Sequence, residues 1–170
     1  CDYNASNQNM AIVTDTWDAI DCDGDGVLNG QEILDATDPQ NPCDFDVNSQ
    51  DASIITMNFD DLDCDGDGVT NGQEATDGTN PEDPCDYLVT SQDITAVTTA
   101  WELTDCDGDG VTNGDEIIDG TRVQDPCDYD PASQDLASVN AAWNAADCDG
   151  DGVTNGDEIA DGTNPQDDCS

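Results

Sequence analysis

The sequence predicts a tandem array of four small α-rich repeats stacked end to end into a rod, each reading helix, acidic loop, short helix and extended proline-containing connector. Three observations predict it. The string "DCDGDGVTNG" begins at Asp63, Asp105 and Asp147, and "DCDGDGVLNG" at Asp21, so one unit recurs every 42 residues. Cysteines at 1, 22, 43, 64, 85, 106, 127, 148 and 169 keep an unbroken spacing of 21. An apolar stripe at helical spacing precedes the acidic strings. The repeats so defined occupy 1–42, 43–84, 85–126 and 127–168, and 169–170 opens a further one.

Each element has its own signal. The opening "CDY" or "CDF" (Tyr3, Phe45, Tyr87, Tyr129) leads through a polar stretch to Asn7, Ser49, Ser91 or Ser133, which are suited to cap a helix because their side-chain oxygens accept from first-turn amides. The stripe is Met10, Val13, Trp17 and Ile20 in the first copy and Leu136, Val139, Trp143 and Ala146 in the last, which predicts a helix of about 13 residues with one apolar face. The acidic string follows directly. A short second helix, "GDEIADG" in the last copy, ends at a glycine suited to a left-handed cap (Gly78, Gly120, Gly162), with Ala36 in its place in the first copy. Segments such as "TNPEDPCD" then predict an extended return. One unit has too few large apolar residues to fold without added staples.

The composition excludes several functions. Across 170 residues there are 42 Asp plus Glu, one basic residue, Arg122, and no histidine, for a net charge of −41. Such a chain repels nucleic acid and anionic membrane surfaces. No apolar run reaches the roughly 18 residues of a membrane span, and no stretch has the layout of a signal peptide, so the chain reads as a mature or excised segment with no membrane insertion. Extreme charge with low hydrophobicity predicts disorder unless something cancels the charge.

The acidic string supplies the candidate. Counting from Asp21 gives Asp at positions 1, 3 and 5, Gly at 6, Asn at 9 and Glu at 12, the spacing of a twelve-residue EF-hand-type calcium loop. Alternate carboxylates in a curling loop converge on one hard cation, Gly26 permits the sharp turn, and Glu32 closes the shell. The predicted ligands are Asp21, Asp23, Asp25, the Val27 carbonyl, Asn29 (directly or through water) and Glu32. The equivalent sets are Asp63, Asp65, Asp67, Val69, Asn71 and Glu74; Asp105, Asp107, Asp109, Val111, Asn113 and Glu116; and Asp147, Asp149, Asp151, Val153, Asn155 and Glu158. Calcium, at least one ion per repeat, is favoured over magnesium by the many flexible oxygens. Acids that also recur, Asp35, Asp77, Asp119 and Asp161, and Asp2, Asp44, Asp86 and Asp128, are expected to form a second site per repeat or to complete the first.

Without CxxC pairs or histidines, the cysteines predict disulfides and an oxidising compartment. Two regular pairings fit the spacing: 22–43, 64–85, 106–127 and 148–169, or 1–22, 43–64, 85–106 and 127–148. The first is favoured, because the return must double back past the loop. The odd count leaves one cysteine without a partner, as in a piece of a longer array.

The segments "DCDGDGVTNGDE", "DGTNPQD" and "DPCDY" resemble the thrombospondin type 3-like calcium repeats of bacterial surface proteins, and the long cysteine-containing unit resembles repeats of very large Bacteroidetes cell-surface adhesins, including the gliding-motility adhesin exported by type 9 secretion. The resemblance implies a calcium-dependent stalk or filament on the cell surface. Valine at loop position 7, Leu28 or threonine at position 8, and glycine at position 10 (Gly30, Gly72, Gly114, Gly156) depart from calmodulin-type loops and favour units joined end to end.

The expected function is therefore an extracellular, structural calcium-binding segment, a rod stiffened by calcium and disulfides. Its partners are neighbouring repeats of the same chain, with lateral self-association left open. The alternatives are a carbohydrate- or surface-binding module using Trp17, Trp101, Trp143 and Phe59, and a calcium sensor or buffer. With no histidine or lysine to act as base, an enzyme is not expected.

Overall fold

The computed structural model describes residues 15–169. The expectations for Tyr3, Asn7, Met10, Val13, Cys1 and Asp2 lie outside the described residues. The chain forms two compact units, Cys1–Ala96 and Val97–Ser170. In the first unit are α1 (Asp15–Asp18), α2 (Asn29–Asp35), α3 (Met57–Asp60) and α4 (Asn71–Asp77); in the second are α5 (Thr99–Glu102), α6 (Asn113–Asp119), α7 (Ala141–Ala145) and α8 (Asn155–Asp161). There is no strand among the described residues. Short helices pack in consecutive pairs, α1 on α2, α3 on α4, α5 on α6 and α7 on α8, with an acidic loop between the members of each pair.

The second helix of each pair is as expected. Its left-handed cap is Gly78 at φ 79°, Gly120 at φ 78° and Gly162 at φ 78°, and in the first copy Ala36 takes the same conformation at φ 67°. Its N-cap is loop position 8. The Thr70, Thr112 and Thr154 side chains accept from Gln73, Asp115 and Asp157 amides, whereas Leu28 provides no side-chain cap.

The long first helix is not formed. Helix α3 has 4 residues and starts at Met57, not near Ser49, and α7 has 5 and starts at Ala141, not near Ser133. Local side-chain bonds win over the helix in the preceding stretch: the Asp51 carboxylate accepts from the Ser53 amide and hydroxyl, Asp93 does the same with Thr95, and Asp135 accepts from the Ala137 amide. These turns leave Ile54 at 38%, Ile94 at 43% and Leu136 at 47% exposure, so the stripe is not one buried face. Helices begin instead at caps nearer the acidic string, where Thr98 Oγ1 and Asn140 Oδ1 accept from the Trp101 and Trp143 amides.

Each described hydrophobic cluster joins the loop of one repeat to the opening of the next. Val27 packs with Phe45 and Phe59, flanked by Ile55 and Cys64; Val111 packs with Tyr129 and Trp143, flanked by Val139. The rings meet edge to face, Phe45 and Phe59 with centroids 5.4 Å apart and Tyr129 and Trp143 at 5.9 Å. Trp101, Trp143 and Phe59 are buried and Trp17 half-buried, which is core packing and not an exposed stacking platform.

The return is also not extended. Asp83 donates to the Asn80 carbonyl and Asp86 to that of Asp83, two tight turns in succession, repeated by Asp125 to Arg122 and Asp128 to Asp125. Pro39, Pro81 and Pro165 are buried within it.

The favoured disulfide pairing is overturned. Cys43 is bonded to Cys64 and Cys127 to Cys148, each pair with Cα atoms 5.3 Å apart, and Cys22, Cys85 and Cys106 are also in disulfides. The physical reason is the aromatic at the repeat opening. Phe45 and Tyr129 anchor the opening in the core formed with α3 or α7, which brings the cysteine two residues earlier beside the loop of its own repeat. Cys169 is a free, exposed thiol.

Candidate metal centre

Each loop is shaped by its own backbone amides. Asp21 Oδ1 accepts from the Gly24 amide at 2.7 Å and Oδ2 from Gly26 at 3.1 Å, and Asp25 Oδ1 accepts from Val27 at 2.8 Å. Asp63 and Asp67, Asp105 and Asp109, and Asp147 and Asp151 repeat the pattern. Gly26 adopts φ 95° and Gly68 φ 87°, the left-handed backbone the turn requires. The loop ends are tied together, with the Asn29 amide donating to Ile20 and the Asn71 amide to Leu62.

The result is a knot of carboxylates. Ligand atoms of Asp21, Asp23 and Asp25 lie within 4.8 Å of one another, as do those of Asp63, Asp65 and Asp67, of Asp105, Asp107 and Asp109, and of Asp147, Asp149 and Asp151. Glu32, Glu74, Glu116 and Glu158, in the first turn of the exit helix, feel the charges of these aspartates and are almost wholly buried. Both carboxylate oxygens of Glu32, Glu74 and Glu116 are buried and accept no hydrogen bond, nor do both of Asp23 and Oδ2 of Asp25, Asp65, Asp67, Asp107, Asp109 and Asp149.

Such an arrangement is costly as bare anions. Burial first, then the charges of Asp65, Asp67 and Asp63, push the Glu74 carboxyl up to about 9. Burial with the Asp23, Asp25 and Asp21 charges raises Glu32 to about 8, and Glu116 is raised to about 8 in the same way. Desolvation raises Asp65 and Asp107 to about 7. A divalent cation removes this penalty. Buried acceptor-only oxygens in a flexible loop are the donor set of calcium, so the residues fit that ion.

A family model of the bacterial TSP3 repeat matches residues 21–42, 63–84, 105–121 and 147–167. The chain carries tandem bacterial TSP3 repeats. Each match starts on the first aspartate of a loop, so every TSP3 segment contains the full acidic cluster and its exit helix. The third match stops at Thr121, where Arg122-Val123 replaces the Asp38-Pro39, Asn80-Pro81 and Asn164-Pro165 of the other TSP3 segments. Arg122 there pairs with Asp125 and Asp128 at 2.5 and 2.7 Å. No curated protein and no solved structure gives a significant match to the chain.

The asparagine of each TSP3 loop is also held by the loop cysteine and the preceding helix. Asn29 Oδ1 accepts from the Cys22 amide at 3.1 Å, while its Nδ2 donates to the Trp17 carbonyl at 3.0 Å and to Cys22 Sγ at 3.2 Å. Asn71, Asn113 and Asn155 make the same three bonds. The side chain ties the cysteine to the end of the preceding helix.

Two further roles escaped the sequence reading. A Cβ on Gly72 would lie 2.8 Å from the Asp60 Cβ, and one on Gly114 would lie 3.0 Å from the Glu102 carbonyl oxygen, so position 10 is glycine to let the paired helices touch. Gln50, Gln92 and Gln134 donate to the carbonyls of Asp25, Asp67 and Asp109 in the loop of the preceding repeat. The recurrence of Ser-Gln-Asp every 42 residues, at Gln50, Gln92 and Gln134, was the available signal.

The other recurring acids do not gather into a second cluster among the described residues. Asp77 is taken up by Gln73 and by the Ser91 hydroxyl at 2.5 Å, Asp119 by the Ser133 hydroxyl at 2.6 Å, and Asp128 by Arg122. Besides the four loops, the converging ligands are the exposed Asp167, Asp168 and Cys169.

Proposed function

We propose that this chain is a structural segment of an extracellular bacterial stalk, a rod in which calcium neutralises and stiffens each repeat while disulfides hold its fold. The single observation that carries the reading is the buried glutamate at each loop end, Glu32, Glu74 and Glu116, with both oxygens lacking a donor in a chain that has one basic residue. Asp21, Asp23, Asp25, Glu32 and the Val27 carbonyl would hold the ion in the first loop, and their equivalents in the other three. Asn29 and its counterparts support the loop from behind. The ion supplies charge neutralisation and crosslinking, not chemistry on a substrate, and the TSP3 repeat is a structural module.

Disulfides at regular intervals favour an oxidising location, and no described helix is long and apolar enough to cross a membrane. A place in a large surface adhesin of the gliding or type 9-secreted kind follows from the resemblance of the cysteine-containing unit. Partners are neighbouring repeats, with lateral association between rods as the second contact.

Small-angle scattering on oxidised protein tests the reading. The expected result is an elongated particle with calcium that expands and softens when a chelator is added. A compact particle, or one indifferent to calcium, overturns it.

A further inference from the structure

The calcium loops are not finished by their own repeats. In loop 1 the Asp25 carbonyl accepts from Gln50 Nε2 at 2.5 Å, the Gly26 carbonyl from the Asp51 amide at 2.8 Å and the Gly24 carbonyl from the Thr56 amide at 3.0 Å. Every donor belongs to the following repeat. Loop 2 receives Gln92 on the Asp67 carbonyl at 2.6 Å and the Asp93 amide on Gly68. Loop 3 receives Gln134 on Asp109 at 2.5 Å, with the Asp135 and Asn140 amides on Gly110 and Gly108. The brace falls on the carbonyls of the third aspartate and of the glycines on either side of it, so it holds the turn that carries that aspartate toward the other two.

Loop 4 has the same residues but no such brace among the described residues. A Cβ on Gly150 or Gly152 would meet nothing within 4 Å, whereas one on Gly26 would strike Ile55 and Gln50. Val153 is 37% exposed against 0% for Val27, and Asp151 is exposed where Asp25, Asp67 and Asp109 are fully buried. Glu158 and Asn155 stay buried, so the difference is confined to the face that the next repeat covers elsewhere.

We propose that each calcium loop is completed by the opening segment of the following repeat, with Gln50, Gln92 and Gln134 as positioning residues, so that ion affinity is set across the repeat junction. The inference rests on the calcium reading above. It makes coupling directional: a change in one repeat acts on the ion of the repeat before it. Within a chain limited to residues 1–170, loop 4 is accordingly the weakest of the four.

The test is a calcium titration of the oxidised full chain, starting from the chelated state, followed by the NMR signals of the loop glycine amides Gly26, Gly68, Gly110 and Gly152. Gly152 should respond at the highest calcium concentration. Gln92→Leu removes one brace hydrogen bond and should raise the midpoint at Gly68 about fivefold, the equivalent of one such bond. Gly110, in the loop of the same repeat as Gln92, should not move. Simultaneous saturation of Gly152 with the rest, an effect at Gly110, or no effect at Gly68 overturns the proposal while leaving calcium binding intact. Absence of any response overturns both. Should Gln92→Leu not fold, the comparison of Gly152 with the other loops in the unsubstituted chain decides.

Discussion

Asn71 holds Cys64 by two atoms at once: its Oδ1 accepts from the Cys64 amide at 3.1 Å and its Nδ2 donates to Cys64 Sγ at 3.2 Å. The same amide group reaches the Phe59 carbonyl at 3.1 Å, linking the metal loop, the disulfide and helix α3 through one buried side chain. Asn71→Ala leaves these groups without partners and should cost about 2 to 3 kcal/mol of stability. Asn71→Asp separates this role from metal ligation. It should destabilise the fold without tightening calcium, because a carboxylate then faces the Phe59 carbonyl; tighter binding in an isothermal titration would show that position 9 is a ligand after all.

Both caps of α2 depart from those of the equivalent helices, and both departures should be correctable. Ala36 sits at φ 67° where the other copies have glycine, so Ala36→Gly relieves left-handed strain and should stabilise by roughly 0.5 to 1 kcal/mol. Leu28→Thr restores the N-cap that Thr70, Thr112 and Thr154 supply, for about another 1 kcal/mol. Chemical denaturation of the two single variants and the double variant gives the values. The gains should add, since the changes lie at opposite ends of α2.

Peptide mapping without reduction should recover Cys43 linked to Cys64 and Cys127 linked to Cys148. Recovery of Cys22 linked to Cys43 would contradict the fold. Replacing Cys127 and Cys148 by serine together should cost roughly 3 kcal/mol in the chain-entropy model.

In chelator, stability should fall as pH rises. Glu74 is raised to about 9 and Glu116 to about 8, against ordinary values near 4.5, so between those limits the folded chain holds protons that the unfolded chain has lost. The stabilising contribution is complete below about pH 4.5 and disappears as pH approaches 9. Thermal unfolding of the chelated protein at pH 5 and pH 8 should therefore give the higher midpoint at pH 5. Saturating calcium should reverse the order, because it favours the deprotonated carboxylates.

Much of this was legible in the sequence because the repeats compare themselves. The aspartates at loop positions 1, 3 and 5, the glutamate at 12 and the left-handed caps follow from spacing that local backbone geometry enforces. The long helix was misread because Leu136, Val139 and Trp143 fall at helical spacing, yet Asp135 turns the chain and leaves Leu136 exposed. The disulfide partners depend on where Phe45 and Tyr129 pack, a tertiary contact with no local signature. The spacing places Asn71 at the ion, directly or through water, but carries no sign that both ends of its amide also bond Cys64, seven residues away.

Whether the loops bind the ion decides whether they are the structural centres of the fold. Native mass spectrometry of oxidised protein, titrated with calcium from the chelated state while thermal unfolding is followed in parallel, addresses it most directly. The predicted result is four bound ions and an unfolding midpoint that climbs with calcium, each site adding about 2.7 kcal/mol once the free ion exceeds Kd a hundredfold. A chain that takes up no calcium, or takes it up without gaining stability, would contradict the claim that these loops are the structural centres of the fold.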